Sequence, residues 1–247
     1  MTTDRPENSL LVVNFRCLFL ALLLSPVLSS AAPALRVLPW DAEIAARKFA
    51  LVSGESAVEI KDLHPSKRSP FFRVKGDGPV FVRALDKQGA DGKPAQHACT
   101  IAETIKHPLL VLLPDPKDPT GIRAVVFDDN PAGFRWGSYR FLNATPKELE
   151  VQLEKKAIRV PPGWKPVDLD LGGANRGFSA AFAFPGGLAK PLYSAVWEYD
   201  KETRTLCFLV PGTDPRLGPV GVKAVPEDRK TMELDLPKEE PGTAKQP

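Results

Sequence analysis

Lys190–Gly212 reads KPLYSAVWEYDKETRTLCFLVPG, and Lys93–Asp115 reads KPAQHACTIAETIKHPLLVLLPD. The second lies under the first without a gap. Lys190, Pro191, Ala195, Leu206, Leu209 and Pro211 fall on Lys93, Pro94, Ala98, Leu109, Leu112 and Pro114. Past a Pro-rich turn, each stretch runs through one more apolar segment into an acidic pair, Asp128-Asp129 or Glu227-Asp228. The identities are few, so spacing and pattern carry the match. Lys93–Asp129 and Lys190–Asp228 therefore read as two copies of one unit.

Working outward, each copy gains further strand signals. In the first, Phe49–Val52 is an apolar run, Ser53-Gly54-Glu55 turns, and Val58 and Ile60 alternate with charged neighbours. Such alternation buries one face of a strand and wets the other. Phe72 and Val74, then Val80, Val82 and Ala84, repeat the pattern, and Ala98–Ile105, Leu109–Leu113 and Ile122–Phe127 complete the copy. In the second, Tyr139–Leu142 is matched to Phe49–Val52, Arg159-Val160 to Arg73-Val74, and Pro166-Val167 to Pro79-Val80. About seven short strands in each copy predict an all-β chain of two tandem immunoglobulin-like antiparallel sandwiches. The expected boundaries are 35–132 for the first repeat and 133–228 for the second, joined near Asn130–Trp136. Asp41 is a candidate helix cap before Asp41–Arg47. Residues 229–247 are polar and Pro-rich towards the end, and predict a disordered tail.

Residues 1–34 read as a signal peptide. Cys17–Leu28 is an apolar core behind Arg16, small residues follow, and cleavage is expected after Ala31 or Ala34. The apolar run is too short to span a bilayer. The remaining chain keeps the excess of +3, since Arg5 and Arg16 leave with Asp4 and Glu7. That mild charge argues against nucleic acid as a partner. The 26 prolines disfavour long helices. Cys99 and Cys207 are the cysteines left. They fall on unmatched positions, so two buried thiols are the simpler expectation than a disulfide.

Known enzymatic signatures are missing from the sequence: there is no G-x-S-x-G, no H-E-x-x-H and no phosphate loop. Gly172–Gly177 is Gly-rich but lacks the Lys-Ser/Thr that grips phosphate. His64, His97 and His107 are scattered and read as solvated surface histidines, with a transition metal between His97 and His107, which flank one hairpin, as the alternative. The acidic ends, with Asp115 and Asp118 or Asp214 in nearby turns, raise calcium, which needs six to eight oxygens. Glu198 and Asp200 flank Tyr199 beside Trp197, a mixture a sugar-binding face would show. Lys67-Arg68 and Lys155-Lys156 read as solvated charge pairs. Asn143-Ala144-Thr145 fits a glycosylation sequon that Pro146 would hinder. No catalytic, cofactor-binding or metal-binding residue is expected, and the ligand is unknown.

PALRVLPWDAEIAARKFALVSG (33–54), GSYRFLNATPKELEVQLEKKAIRVPPG (137–163) and KPLYSAVWEYD (190–200) together resemble a family of secreted bacterial proteins of unknown function with tandem β-sandwich repeats. The resemblance implies export and a sandwich fold, and brings no catalytic residues. The leading expectation is an exported, non-enzymatic protein with a structural or binding role in the cell envelope, secreted or periplasmic. Its partner would be an envelope protein or a glycan. Two alternatives stand beside it: a carbohydrate-binding or accessory module, and a hydrolase with an unrecognised acidic site. An exposed row drawn from Trp136, Trp164, Trp197 and Tyr199 would favour the first. Two acidic side chains within about 10 Å across a cleft would favour the second.

Overall fold

The computed structural model describes Met1 and residues 34–76, 78–214, 216 and 218–236. The expected signal peptide lies outside the described residues apart from Met1 and Ala34, as does the end of the tail. The described residues from 34 onward fall in one compact unit.

Among the described residues the structure is all-β with two short helices. The first half holds β1 (Arg36–Pro39), α1 (Ala42–Ala45), β2 (Phe49–Ser53), β3 (Ser56–Ile60), β4 (Val80–Gln88), β5 (Pro94–Cys99), β6 (Pro108–Pro114) and β7 (Ile122–Asp128). The second holds β8 (Ser138–Asn143), β9 (Leu149–Leu153), β10 (Lys156–Val160), β11 (Val167–Asp170), β12 (Arg176–Ala183), β13 (Tyr193–Tyr199), β14 (Thr203–Pro211), β15 (Val220–Asp228) and α2 (Arg229–Asp235). The described strands make four sheets, in the orders β3-β2-β4-β5, β1-β6-β7, β11-β8-β14-β15 and β10-β9-β12-β13.

Side-chain alternation stacks these sheets. On β6, Leu110 and Leu112 enter a core with Phe49, Leu51 and Val82 of the outer sheet. Leu109, Val111 and Leu113 point the other way, to Leu142, Leu206 and Phe208 of the second half. On β14, Cys207 and Leu209 join Val151, Phe178 and Phe182. Both faces of β6 and β14 are thus covered, which is why LLVLL and LCFL are unbroken apolar runs rather than alternating ones. The result is one core within each half and a third between the halves.

All three expected matches between the halves are shifted by one strand, Arg159-Val160 lying at the place of Glu59-Ile60 rather than Arg73-Val74. Tyr139–Leu142 belongs to β8, which runs parallel to β14, as β1 runs parallel to β6. The strand beside it in architecture is therefore β1, not Phe49–Val52. The hairpin β2–β3 instead has its likeness in β9–β10, with Ser53 opposite Ser56 and Leu153 opposite Lys156. Gly54 and Glu154 turn these hairpins at φ of 55° and 54°. Val167 pairs with Phe141, and the corresponding place in the first half is held by a single bridge, Leu35 to Phe72. The reason for the misreading is that RVLP is buried on both faces. It shows no alternation and passes for an apolar lead-in.

Other departures follow from the same pairing. The sheets are not wholly antiparallel. Consecutive β2 and β3 lie in one sheet, with β7 beyond β6, which differs from the ABED/CFG strand order of an immunoglobulin domain. The strand expected at Ala98–Ile105 lies earlier, at Pro94–Cys99. The joint residue Phe134 is fully buried between the halves. Residues 229–235, expected in the disordered tail, form α2, with Asp228 Oδ1 accepting from Thr231 N at 3.1 Å. At the other end, Asp41 caps α1, accepting from Ile44 N at 2.9 Å.

Phe208 is completely buried between the halves. Phe208→Ala is expected to cost about 3–5 kcal/mol in urea unfolding followed by tryptophan fluorescence. A loss near zero would mean that this central core does not form.

Candidate functional site

The two acidic ends meet. Arg36 and Leu38 lie on the face of β1 that looks toward the second half. On β14, Arg204 shares a face with Leu206 and Phe208. On β15, Glu227 shares a face with Val225. Asp129 follows β7 and donates its backbone N–H to the carbonyl of His107 at 2.8 Å. Arg68 enters from the loop between β3 and β4.

Arg68 grips Asp129 with two bonds, Nε to Oδ2 at 2.8 Å and Nη2 to Oδ1 at 3.1 Å. Arg204 Nε donates to Glu227 Oε2 at 2.7 Å, and its Nη2 to Asp129 Oδ2 at 3.2 Å. Arg204 Nη1 also donates to the carbonyls of Asp129 and Phe134. Arg36 pairs with Glu227 and donates Nε to the carbonyl of Ser69 at 3.1 Å. The guanidinium of Arg204 packs on the rings of Phe134 and Trp136, and that of Arg36 on Phe71. Side-chain exposure is 0% for Arg204, 1% for Arg68 and 5% for the other three. At that depth an isolated charge would be prohibitively costly, so these five groups are tolerable only as a set.

Burial alone would raise Asp129, but Arg68, Arg204 and Arg36 outweigh it and hold the carboxyl below its usual range. Burial would lower Arg68, yet Asp129 and Glu227 hold it above the usual arginine value. For Arg204, burial wins and the shift is downward despite the same two carboxylates. Arginine ordinarily titrates so high that Arg68 and Arg204 stay charged at neutral pH with these shifts. The network holds three positive and two negative groups. A cavity of about 440 Å³ opens beside it, lined by Arg36, Lys67, Arg68, Glu227 and Asp228 among others.

This arrangement is a clamp between the halves. It has no group poised for proton transfer, because each carboxylate is held by at least two guanidiniums. The sequence reading picked out the acidic ends, weighed calcium there against plain solvated strand ends, and expected no metal-binding residue. Among the described residues, no group of three or more His, Cys, Asp or Glu is placed to hold a metal ion. Asp128 is exposed and Asp228 caps α2. Asp115, Asp118 and Asp214 accept from backbone N–H groups within their own turns. Arg68, read as half of a solvated pair, is the main residue that reading missed. Nothing local distinguishes a buried arginine in a loop from an exposed one.

The remaining candidates have structural explanations. His97 Nδ1 lies 2.8 Å from Asp118, while its Nε2 accepts from the N–H of Ala124 at 3.1 Å. This histidine ties β5 to β7, and its basic nitrogen is already occupied. Tyr199 is buried, and Trp197 packs among Tyr139, Phe141, Phe178 and Phe182. Trp164 packs with Trp40, Phe127 and Phe208 between the halves, and Trp136 lies under Arg204 and Arg229. The four aromatics do not make an exposed row. Asp200 Oδ1 accepts from Glu202 N and Asn175 Nδ2 in a turn. Asn143 is fully buried and donates to the carbonyls of Lys147 and Val160, out of reach of glycosylation. In Gly172–Gly177, Arg176 Nη1 bonds the carbonyls of Gly172 and Ala174, closing a turn rather than a ligand loop. Cys99 and Cys207 are free and buried in different cores. Burial pushes the Cys99 thiol up to about 12 and Cys207 upward as well, so neither is a nucleophile.

No protein-family model and no curated protein matches this chain.

Removing one member of the clamp leaves its partners buried and unpaired. Arg204→Met is expected to cost about 3–5 kcal/mol in chemical denaturation. For pH, Asp129 titrates lower folded than unfolded. Its stabilisation is therefore complete above the unfolded value of about 3.9 and is lost as pH falls below it. Acid titration should show stability dropping below about pH 4, and Asp129→Asn should flatten that drop. An unchanged acid limb in Asp129→Asn would rule out the assignment.

Proposed function

We propose that this is an exported, non-enzymatic protein, built by tandem duplication of a β-sandwich, with a structural or binding role in the cell envelope. The observation that carries the reading is the clamp. Among the described residues, the most deeply buried charges join the two halves and are paired with one another. Such a body suits a rigid scaffold that presents its edges and loops to a partner.

The strand registers support the duplication. Arg36 lies opposite Leu109 and Arg140 opposite Leu206, in parallel pairs at matching places. Arg204 lies opposite Glu227, while Asp129 bonds the backbone of His107. Arg36 and Arg140 are thus counterparts, as are Asp129 and Glu227. The sequence of residues 1–34 and the resemblance to secreted bacterial proteins support export. Among the described residues, no helix is long and apolar enough to cross a membrane. An envelope protein is the favoured partner over a glycan, given the packing of the tryptophans.

Fractionation of cells making the whole chain, with mass spectrometry of its N-terminus, tests export. The expected product begins after Ala31 or Ala34 and sits outside the cytoplasm. An intact N-terminus in the cytosol would overturn the reading. Crosslinking within the envelope fraction should then recover one reproducible protein partner.

A further inference from the structure

We propose that two copies of this chain associate through β13, pairing antiparallel about a two-fold axis at Val196 and extending β10-β9-β12-β13 into an eight-stranded sheet.

The argument begins with the edges. An unpaired strand edge invites another strand, and folded proteins block it with proline, lysine, inward charge, bulges or short length. The other outer strands carry such devices. β10 has Lys156 and Arg159. β5 starts at Pro94, and its pairing with β4 shifts register between Arg83 and Gln88. β15 contains Lys223 and Pro226, β7 contains Arg123, and β3 and β11 are short, at five and four residues. β13, YSAVWEY, has no proline, lysine or arginine. Its register with β12 runs unbroken from Tyr199 to Tyr193, and on its other side no described strand is paired with it. At its centre Val196 is 80% exposed, the most exposed large apolar side chain on any described strand.

The strand is also complementary to itself. An axis through Val196 sets Val196 against its own copy and Ser194 against Glu198 on the outer face. On the inner face, Ala195 meets Trp197 and Tyr193 meets Tyr199. No like charges face each other, small sits against large, and aromatic pairs close both ends, the combinations that stabilise cross-strand neighbours. An isologous contact of this kind closes after two copies and does not propagate. Self-pairing is favoured over a foreign strand because this match needs no sequence other than the one present.

The test is sedimentation velocity on residues 31–247, across a concentration series. The wild-type chain should show a reversible monomer–dimer equilibrium. Val196→Lys places two lysines opposite each other and should weaken association about tenfold or more, with an unchanged circular dichroism spectrum. Independently, Val196→Cys should give a disulfide-linked dimer on diamide oxidation, whereas Ala157→Cys, exposed on the opposite edge, should not. A monomer at all concentrations, a dimer indifferent to Val196→Lys, or equal crosslinking at both cysteines would overturn the proposal. So would a monomer whose capture of an envelope protein is lost in Val196→Lys, which would assign the edge to a foreign strand.

Discussion

Asp129 and Glu227 share three guanidiniums in a place that water scarcely reaches, and the relation between the two halves depends on how that sharing is arranged. Taking five ions out of water costs several kcal/mol for each, and the attraction among them repays this only with close geometry. Close geometry is what the strands supply. Arg36 is fixed by the parallel pairing of β1 with β6, and Arg204 by the long β14–β15 ladder. A slip of one residue in either would turn the charge into an apolar core. The network thus contributes specificity of register at least as much as stability.

The apolar surface between the halves works with the clamp. Leu38, Leu109, Val111, Leu142, Leu206 and Phe208 form a core of the kind found inside a domain rather than between two loosely joined ones. Burial of such residues is non-directional and would tolerate sliding. The ion set lies along the same faces and does not. Together they explain why Phe134, in the joint, is buried. It packs beneath the guanidiniums of Arg140 and Arg204.

Much of this was legible in the sequence, and the failures have physical causes. The runs LLVLL and LCFL, the hairpin turns and the acidic pairs all carry local signals, and each marks a real element. The topology of the opening strand does not. RVLP is short and covered on both faces, so periodicity cannot tell it from a lead-in, and with it overlooked every landmark matched between the halves moved by one strand. Arg68 was hidden for a different reason. A loop residue next to Lys67 has no pattern to read, and its burial is decided by Asp129, 61 residues away in the chain. Sequence patterns report the faces of strands well, and long-range charge pairing hardly at all.

The halves differ most along one side. In the first, β5 and β7 are tied by His97, which sits opposite Val82 and reaches Asp118 and the N–H of Ala124. The matching residue on β13, opposite Phe182, is Tyr193. Its ring stacks on Phe182 at 4.7 Å and its hydroxyl accepts from Trp197 Nε1 at 3.1 Å. Its polar contact stays within its own strand, and a cavity of about 260 Å³ lined by Tyr139, Trp197 and Thr205 lies on that side. The first half closes this flank with a hydrogen-bonded histidine, while the second puts aromatic bulk there and leaves β13 without a second partner among the described strands, the Glu198 carbonyl accepting from the Tyr139 hydroxyl at 2.8 Å. An unpaired edge on a monomer is a liability that native proteins blunt with a lysine, a proline or a bulge. An edge left without these beside so rigid a body is accounted for if a second copy covers it.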